Sequence, residues 1–408
     1  MRKSILFNYQ ALLIFAFLGV LFVPFSFRNL DFQSKITAFL FEDLIHLITS
    51  NFKNFLVVNA EITSDSTTLY ILFFILLLLA VIFTAVLSFF SFWKTNQDLI
   101  FRAIQIILTY YLAFIMLKYG FDKVFKVQFY LPEPNILYTP LGMLDKDILF
   151  WSSMGTSYSY NVFMGLMEVI PALLLLYNKT RILGLFILSG VLLNVVFINF
   201  GFDISVKLYS LFLLLICFLL LAPNLKKIIQ FFIFNKPTAS ARLKGSDLIT
   251  SKTIKWCIKT IVIFFFFTES LFPYLQKETY NNETIIQNPL HGAYEVVKIE
   301  KNETQKNNVN QKIKRIFVHR NNYFIFQYAD DTMEDFYLEI NPIQNQFILT
   351  DYNAEKIKLQ YKYSKSSKTL ELYSPELGIR IYSKTLPWKK LPLLQPLFHW
   401  TVDEIGKN

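Results

Sequence analysis

Residues 69–93 read LYILFFILLLLAVIFTAVLSFFSFW, a run without one formally charged side chain. A helix needs about 20 mainly apolar residues to cross the hydrocarbon layer, so this stretch predicts a membrane span. Working outward, 5–26, 99–118, 159–177, 182–200, 206–223 and 257–273 also qualify, giving about seven spans. The first is long, lacks a small-x-small cleavage site and holds Asn8 and Gln10 where a signal sequence is most apolar, so it reads as a span. Composition agrees: 54% hydrophobic residues, 17% charged and 44 Phe against 12 Gly, with a mean hydropathy of +0.39, fall outside the soluble range.

The net charge of +10 is explained by basic residues at span ends, which set membrane orientation. No nucleic-acid module is visible, and none is expected as a partner. With the N-terminus inside, Arg2, Lys3, Lys94, Arg102, Lys179, Arg181 and the cluster from Lys226 to Lys255 all fall in the cytoplasm. The loops 27–68 and 121–158 carry more balanced charge and fall outside. Seven crossings then place 274–408 outside the cytoplasm.

Two connections read as interfacial helices. In 36–55, Ile36, Phe39, Leu40, Leu44, Leu47, Ile48, Phe52 and Phe55 recur at helical steps, which suits either lipid contact or packing on the bundle. Leu225 to Phe234 joins Lys226 and Lys227 to Ile228, Ile229, Phe231 and Phe232 and reads as an anchor. From Tyr294 onward, short β-branched and aromatic runs alternate with turn residues such as Asn321-Asn322, Asp330-Asp331 and Asn341-Pro342. Ile357, Leu359, Tyr361 and Tyr363 alternate with Lys358, Gln360 and Lys362, the pattern of a half-buried strand. A small antiparallel sandwich or barrel is expected, with Leu391–Trp400 packing back on the sheet or on the membrane domain.

Ionisable groups inside spans are candidate functional residues. Glu168, in Gly165-Leu-Met-Glu-Val-Ile-Pro171, lies near mid-span beside a helix-kinking proline. It suits either a polar clasp or a ligand or proton site. Asn194 and Asn199 on the next span are the other pocket candidates, with Asn194 placed to meet Glu168. Lys118, Asp122, Lys123, Asp203 and Lys207 gather at the outer rim, with Lys118/Asp122 and Asp203/Lys207 at i,i+4 spacing. Glu269 reads as shallow, reaching the interface. His46, His291, His319 and His399 lie outside the spans, and Cys217 and Cys257 have no ligand spacing, so the chain offers no intramembrane haem ligation, metal site or dithiol. No phosphate-binding loop, nucleophile elbow or zinc motif appears.

Lys118-Tyr-Gly-Phe-Asp-Lys123, Gly165-Leu-Met-Glu168-Val-Ile, Asn194 and the Gly201-Phe-Asp203 turn resemble the DoxX/DoxD-like family of four-helix bacterial membrane proteins. Phe317-Val-His319 through Gln327, Trp388 to Leu394 and Phe398-His-Trp400 are similar to the β extension of its larger members. The resemblance divides the chain into a transmembrane pair (1–98), the four-helix bundle (99–223), a cytoplasmic linker (224–256), a last span (257–273) and an extracytoplasmic β-rich domain (274–408). It implies an accessory subunit of a quinone- or thiol-linked membrane redox complex, with a quinone as ligand and a periplasmic or membrane protein as partner. The competing expectation is a non-catalytic envelope scaffold or escort for exported polypeptides or lipids. A secondary transporter ranks last, because no inverted repeat is evident.

Overall fold

The computed structural model describes residues 2–25, 32–51, 62, 64–236, 251–276, 288–301, 312–375, 378–395 and 400–401. Expectations resting on Phe52, Phe55, Arg242, Lys244, Phe398 and His399 lie outside these residues. The helices are α1 (Arg2–Phe22), α2 (Phe32–Asn51), α3 (Thr67–Leu87), α4 (Ser91–Val124), α5 (Pro134–Leu137), α6 (Lys146–Gly155), α7 (Tyr158–Leu175), α8 (Arg181–Gly201), α9 (Lys207–Leu221), α10 (Leu225–Phe232), α11 (Lys252–Phe266) and α12 (Phe272–Gln276). The strands are β1 (Gly292–Lys301), β2 (Ile313–Val318), β3 (Tyr323–Tyr328), β4 (Met333–Asn341), β5 (Gln346–Thr350), β6 (Lys356–Ser364), β7 (Thr369–Ser374) and β8 (Ile379–Leu386). The chain divides into two units: Met1–Gln128 with Tyr158–Tyr280, and Phe129–Ser157 with Asn281–Asn408.

The first unit is helical, and six of its described helical segments are long and apolar enough to cross a membrane: Thr67–Leu87, Ser91–Val124, Tyr158–Leu175, Arg181–Gly201, Lys207–Phe232 and Thr253–Gln276. Leu6–Phe22, the described apolar part of α1, is shorter. Phe15, Phe73 and Phe212 pack edge to face where α1, α3 and α9 meet. The crossing of α4 and α7 rests on two glycines: a Cβ on Gly165 would stand 2.6 Å from the Gly120 carbonyl oxygen, and one on Gly120 2.6 Å from Val169. Only bare backbone allows that approach.

Of the apolar stripe of 36–55, expected either to meet lipid or to pack on the bundle, the described residues leave most off the bundle. Helix α2 buries Gln33, Thr37, Phe41, Ile45 and Thr49 and exposes Ile36, Phe39, Leu40, Leu44 and Leu47. Its polar side chains face inward because they complete the end of α1. Gln33 Nε2 donates to the carbonyls of Val20, Leu21 and Val23, and Thr37 donates to Phe22, oxygens that a helix C-terminus otherwise leaves unpaired. The apolar stripe faces away from the helical unit.

In the second unit the strands form a closed antiparallel barrel in chain order, sealed by pairing of β1 with β8. Barrel, not sandwich, is therefore the outcome. The turn expected at Asn321-Asn322 separates β2 from β3, and Asn322 takes a left-handed φ of 59° there. Tyr294, Ile316, Phe324, Phe347, Leu349, Leu370 and Leu372 fill the interior, as eight strands leave room for little else. Residues 129–157, expected within the 99–223 bundle, belong to this unit. They do so because β1, β2 and β3 carry apolar residues on the outer face too: Ala293, Phe317 and Ile325 are covered by Leu131, Leu137, Tyr138, Trp388, Leu391 and Leu394. Of the C-terminal tail, Leu391–Leu394 thus packs on the sheet, whereas Trp400 is exposed.

Candidate functional site

In the helical unit, α7 buries Asn161, Gly165, Glu168, Ala172 and Leu175 along one stripe. Glu168 sits about 15 Å along the helix from Tyr158. Its partner is Lys123 of α4, whose Nζ donates to Glu168 Oε2 at 2.9 Å, with side chains 9% and 2% exposed. Lys123, expected at the solvated rim, is interior because side chains on a helix lean toward its N-terminus. Its ammonium runs back as far as the Tyr119 carbonyl, 3.4 Å away. The pair is a clasp across the glycine crossing.

Asn194 does not meet Glu168. On α8 the buried stripe is Gly184, Leu188, Val191, Leu192, Val196 and Asn199, and at roughly 100° per residue Asn194 turns away from it; the residue is exposed. Asn199 is buried and its Nδ2 donates to the Val206 carbonyl at 3.5 Å, holding the α8–α9 turn. Asp203 and Lys207 form the expected i,i+4 pair at 2.7 Å, with Asp203 81% exposed. Lys118 and Asp122 do not pair so: the Tyr274 hydroxyl donates to Asp122, while its ring stacks on Phe125 at 4.8 Å, tying α12 to α4. Glu269 is buried on a π-helical turn, Phe267–Leu271. A π turn adds one residue and rotates the following side chains, which carries Glu269 inward.

Sequence reading missed an open cleft of about 210 Å³ where α1, α3, α4 and α9 end. Phe25, Leu69, Tyr119, Val206 and Tyr209 form its apolar and aromatic walls, and Asp65 and Lys118 its charged ones. Tyr209 is held by a 2.8 Å hydroxyl contact with Tyr111 and stacks on Phe25 at 6.0 Å. Asp65 is committed elsewhere: its oxygens accept from the amides of Lys207 and Leu208 at 2.8 and 3.0 Å, capping α9. Lys118 has no hydrogen bond or ion pair within 4 Å among the described residues.

The barrel unit holds a second polar cluster that the sequence did not reveal. Glu133, buried between Pro132 and Pro134, accepts from Arg320 Nε and lies 2.8 Å from His291 Nε2 and 3.8 Å from His319 Nε2. Arg320 also donates to the Leu131 carbonyl at 3.3 Å and lies over the Tyr130 ring. Burial pushes the Glu133 carboxyl up, but the His291 hydrogen bond and the His319, Arg320 and His291 charges outweigh it and hold it below the ordinary range. Burial lowers His319, only partly offset by Glu133. The cluster fastens 129–134 to the barrel. Among the described residues, no group of three or more His, Cys, Asp and Glu could hold a metal ion. Cys217 is buried and Cys257 exposed, both free thiols.

A stretch of 122 residues is 34% identical to "Uncharacterized protein YwoB" of Bacillus subtilis (strain 168), covering 77% of that protein and 30% of this chain. The chain belongs to the YwoB family. No family model matches the sequence, and no solved structure matches it. The match leaves most of this chain outside it.

Proposed function

We propose that the chain is a DoxX-like accessory protein of a bacterial inner membrane, serving a quinone- or thiol-linked redox complex. The helical unit binds a lipid-soluble ligand, of which a quinone is the form implied by the DoxX resemblance. The N-terminus faces the cytoplasm and the barrel faces outward, where it docks a membrane or periplasmic partner. The supporting observation is the aromatic cleft beside Phe25, Tyr119 and Tyr209. At about 210 Å³ it is smaller than the roughly 300 Å³ at which drug-sized sites begin, so it suits a ring headgroup with its tail left in lipid. Glu168 and Asn194, first candidates for this role, are replaced by the cleft residues, since one is salt-bridged and the other faces outward. Titrating a soluble quinone analogue into the purified protein should quench tyrosine fluorescence saturably, with weaker binding in Tyr119→Leu. Absence of saturable binding would remove this reading.

One observation favours the scaffold or escort reading. On the outside of the barrel, Tyr323, Tyr337 and Tyr352 form a row with ring centroids 5.1 and 5.8 Å apart, and Tyr337 and Tyr352 are exposed. Tyrosines are favoured at protein interfaces. Recovery of envelope-biogenesis proteins by affinity purification, lost in a Tyr337→Ser, Tyr352→Ser variant, would support it over the redox reading.

A further inference from the structure

Helix α10 does not continue the crossing made by α9. The Cys217 thiol on α9 donates to the Leu185 carbonyl of α8, 3.4 Å away, so the two helices are level there. Run straight on, a helix would carry Phe232 about 22 Å past that level. Instead the Phe232 ring stacks on Phe186 of α8, with centroids 5.4 Å apart. The chain therefore turns at Ala222–Asn224, where Pro223 supplies no amide, and α10 lies across the end of the bundle. Its far end is closed. The Lys236 amide donates to the Gln230 carbonyl at 3.0 Å, and Asn235 takes a left-handed φ of 49°, the usual stop of a helix.

At roughly 100° per residue, Lys226, Lys227 and Gln230 share one face of α10, and Leu225, Ile228, Ile229 and Phe232 the opposite one. Leu225, Ile229, Phe231 and Phe232 are exposed. An apolar stripe backed by lysines suits a helix lying in the headgroup layer. The neighbours add to the charge. The Tyr9 hydroxyl donates to the Leu219 carbonyl and accepts from Gln105, so α4 begins at this end. Phe266 packs on Tyr110 and Phe114, and Tyr274 reaches Asp122, so α11 runs alongside α4 in the same direction and begins here too. It brings Lys255, Lys259 and an exposed Trp256, whose ring centre lies 5.7 Å from the Lys259 ammonium. Lys94 and Arg102 on α4, with Lys179 and Arg181 at the start of α8, stand at the same end; the acid that the described residues of these segments set against them is Asp98, at i,i+4 spacing from Arg102. The balance is strongly positive. Trp and Lys at helix ends sit at the membrane–water boundary, where a basic surface attracts anionic lipid.

We propose that α10 is an in-plane helix that binds an anionic lipid surface, with Lys226, Lys227 and Lys236 meeting headgroup phosphates and Leu225, Ile229 and Phe231 entering the acyl layer. The aromatic cleft lies at the opposite end of α9, so this surface stands whether or not the cleft takes a ligand.

The full-length protein is reconstituted into nanodiscs of equimolar phosphatidylcholine and phosphatidylglycerol, and the lipids retained are read by native mass spectrometry. The preference for phosphatidylglycerol should fall roughly fivefold for each lysine lost in Lys226→Gln with Lys227→Gln. It should survive Lys226→Arg with Lys227→Arg, which separates loss of charge from loss of fold. Lys94→Gln with Lys179→Gln, off α10, should change it less. A nitroxide on Ile229→Cys, in a background without reactive cysteines, should be more accessible to oxygen than to a water-soluble nickel complex. A preference untouched by the α10 glutamine pair, or lowered as much by the arginine pair or by the Lys94 and Lys179 pair, overturns the proposal. So does a nitroxide more accessible to nickel, which places the helix in water, or one shielded from both, which marks a protein partner or a second copy on that face.

Discussion

Lys123 on α4 and Glu168 on α7 pair at 2.9 Å in the interior of the helical unit, one turn from the point where Gly120 and Gly165 let the two helices touch. The ion pair and the glycine contact fix the same crossing, one by charge and one by the absence of side chains. Removing one partner strands a buried charge, whereas removing both does not.

Glu168→Ala should therefore lower stability in detergent by about 3–5 kcal/mol, and Lys123→Met with Glu168→Leu should cost much less. Thermal or denaturant unfolding of the three proteins checks this. A double variant as unstable as the single one would show that the pair does more than hold the helices together.

Gly165→Val should be severely destabilising, because its Cβ would stand 2.6 Å from a backbone oxygen that cannot move alone. Gly190, on α8, has nothing within 4 Å of its would-be Cβ, so Gly190→Ala should be neutral or stabilise by about 0.5–1 kcal/mol through helix propensity. The same unfolding measurement serves both.

The barrel unit should loosen in acid in two stages. His319 is held below its ordinary 6.5, so the unfolded chain binds the proton more readily and stability falls as pH drops below about 6.5. Glu133 is held below its ordinary 4.5; its contribution is present above that value and is lost as pH falls further. Amide-exchange protection of 129–134 should drop in both windows, the upper one disappearing in His319→Asn and the lower one in Glu133→Gln.

Orientation is open to labelling in a background without reactive cysteines. Lys362 and Lys94 are both exposed. In spheroplasts, a membrane-impermeant maleimide should modify Lys362→Cys at once and Lys94→Cys only after permeabilisation. The reverse order would invert the proposed topology.

The spans and the β domain were legible because length of apolar sequence and period-two alternation are local signals. Residues 69–93 need no partner to be recognised. Side-chain partnership was not legible. Glu168 stood out as a charge in a span, but Lys123 lies 45 positions earlier and reaches it only by leaning back along α4. Glu133 and His291 are 158 positions apart, and Leu131-Pro-Glu-Pro134 has no periodicity to mark it. The one cue was chemical: a carboxylate between two prolines beside apolar residues, in a loop too long to lack a partner. Helix α2 was legible as amphipathic, but which face packs was not: its apolar stripe faces away from the protein, while Gln33 and Thr37 serve backbone carbonyls that no side-chain pattern displays.

The pairing of Ala293 in β1 with Leu386 in β8 has a consequence for how the molecule is made. No strand of the ring can be left out, so the domain cannot close until the ribosome has finished nearly all of it. Until then the growing hairpins expose unpaired edges, the template on which other chains aggregate. A chain stopped before residue 379 would keep its membrane helices yet present open edges, and quality-control proteases would meet it as a damaged product rather than a shorter one.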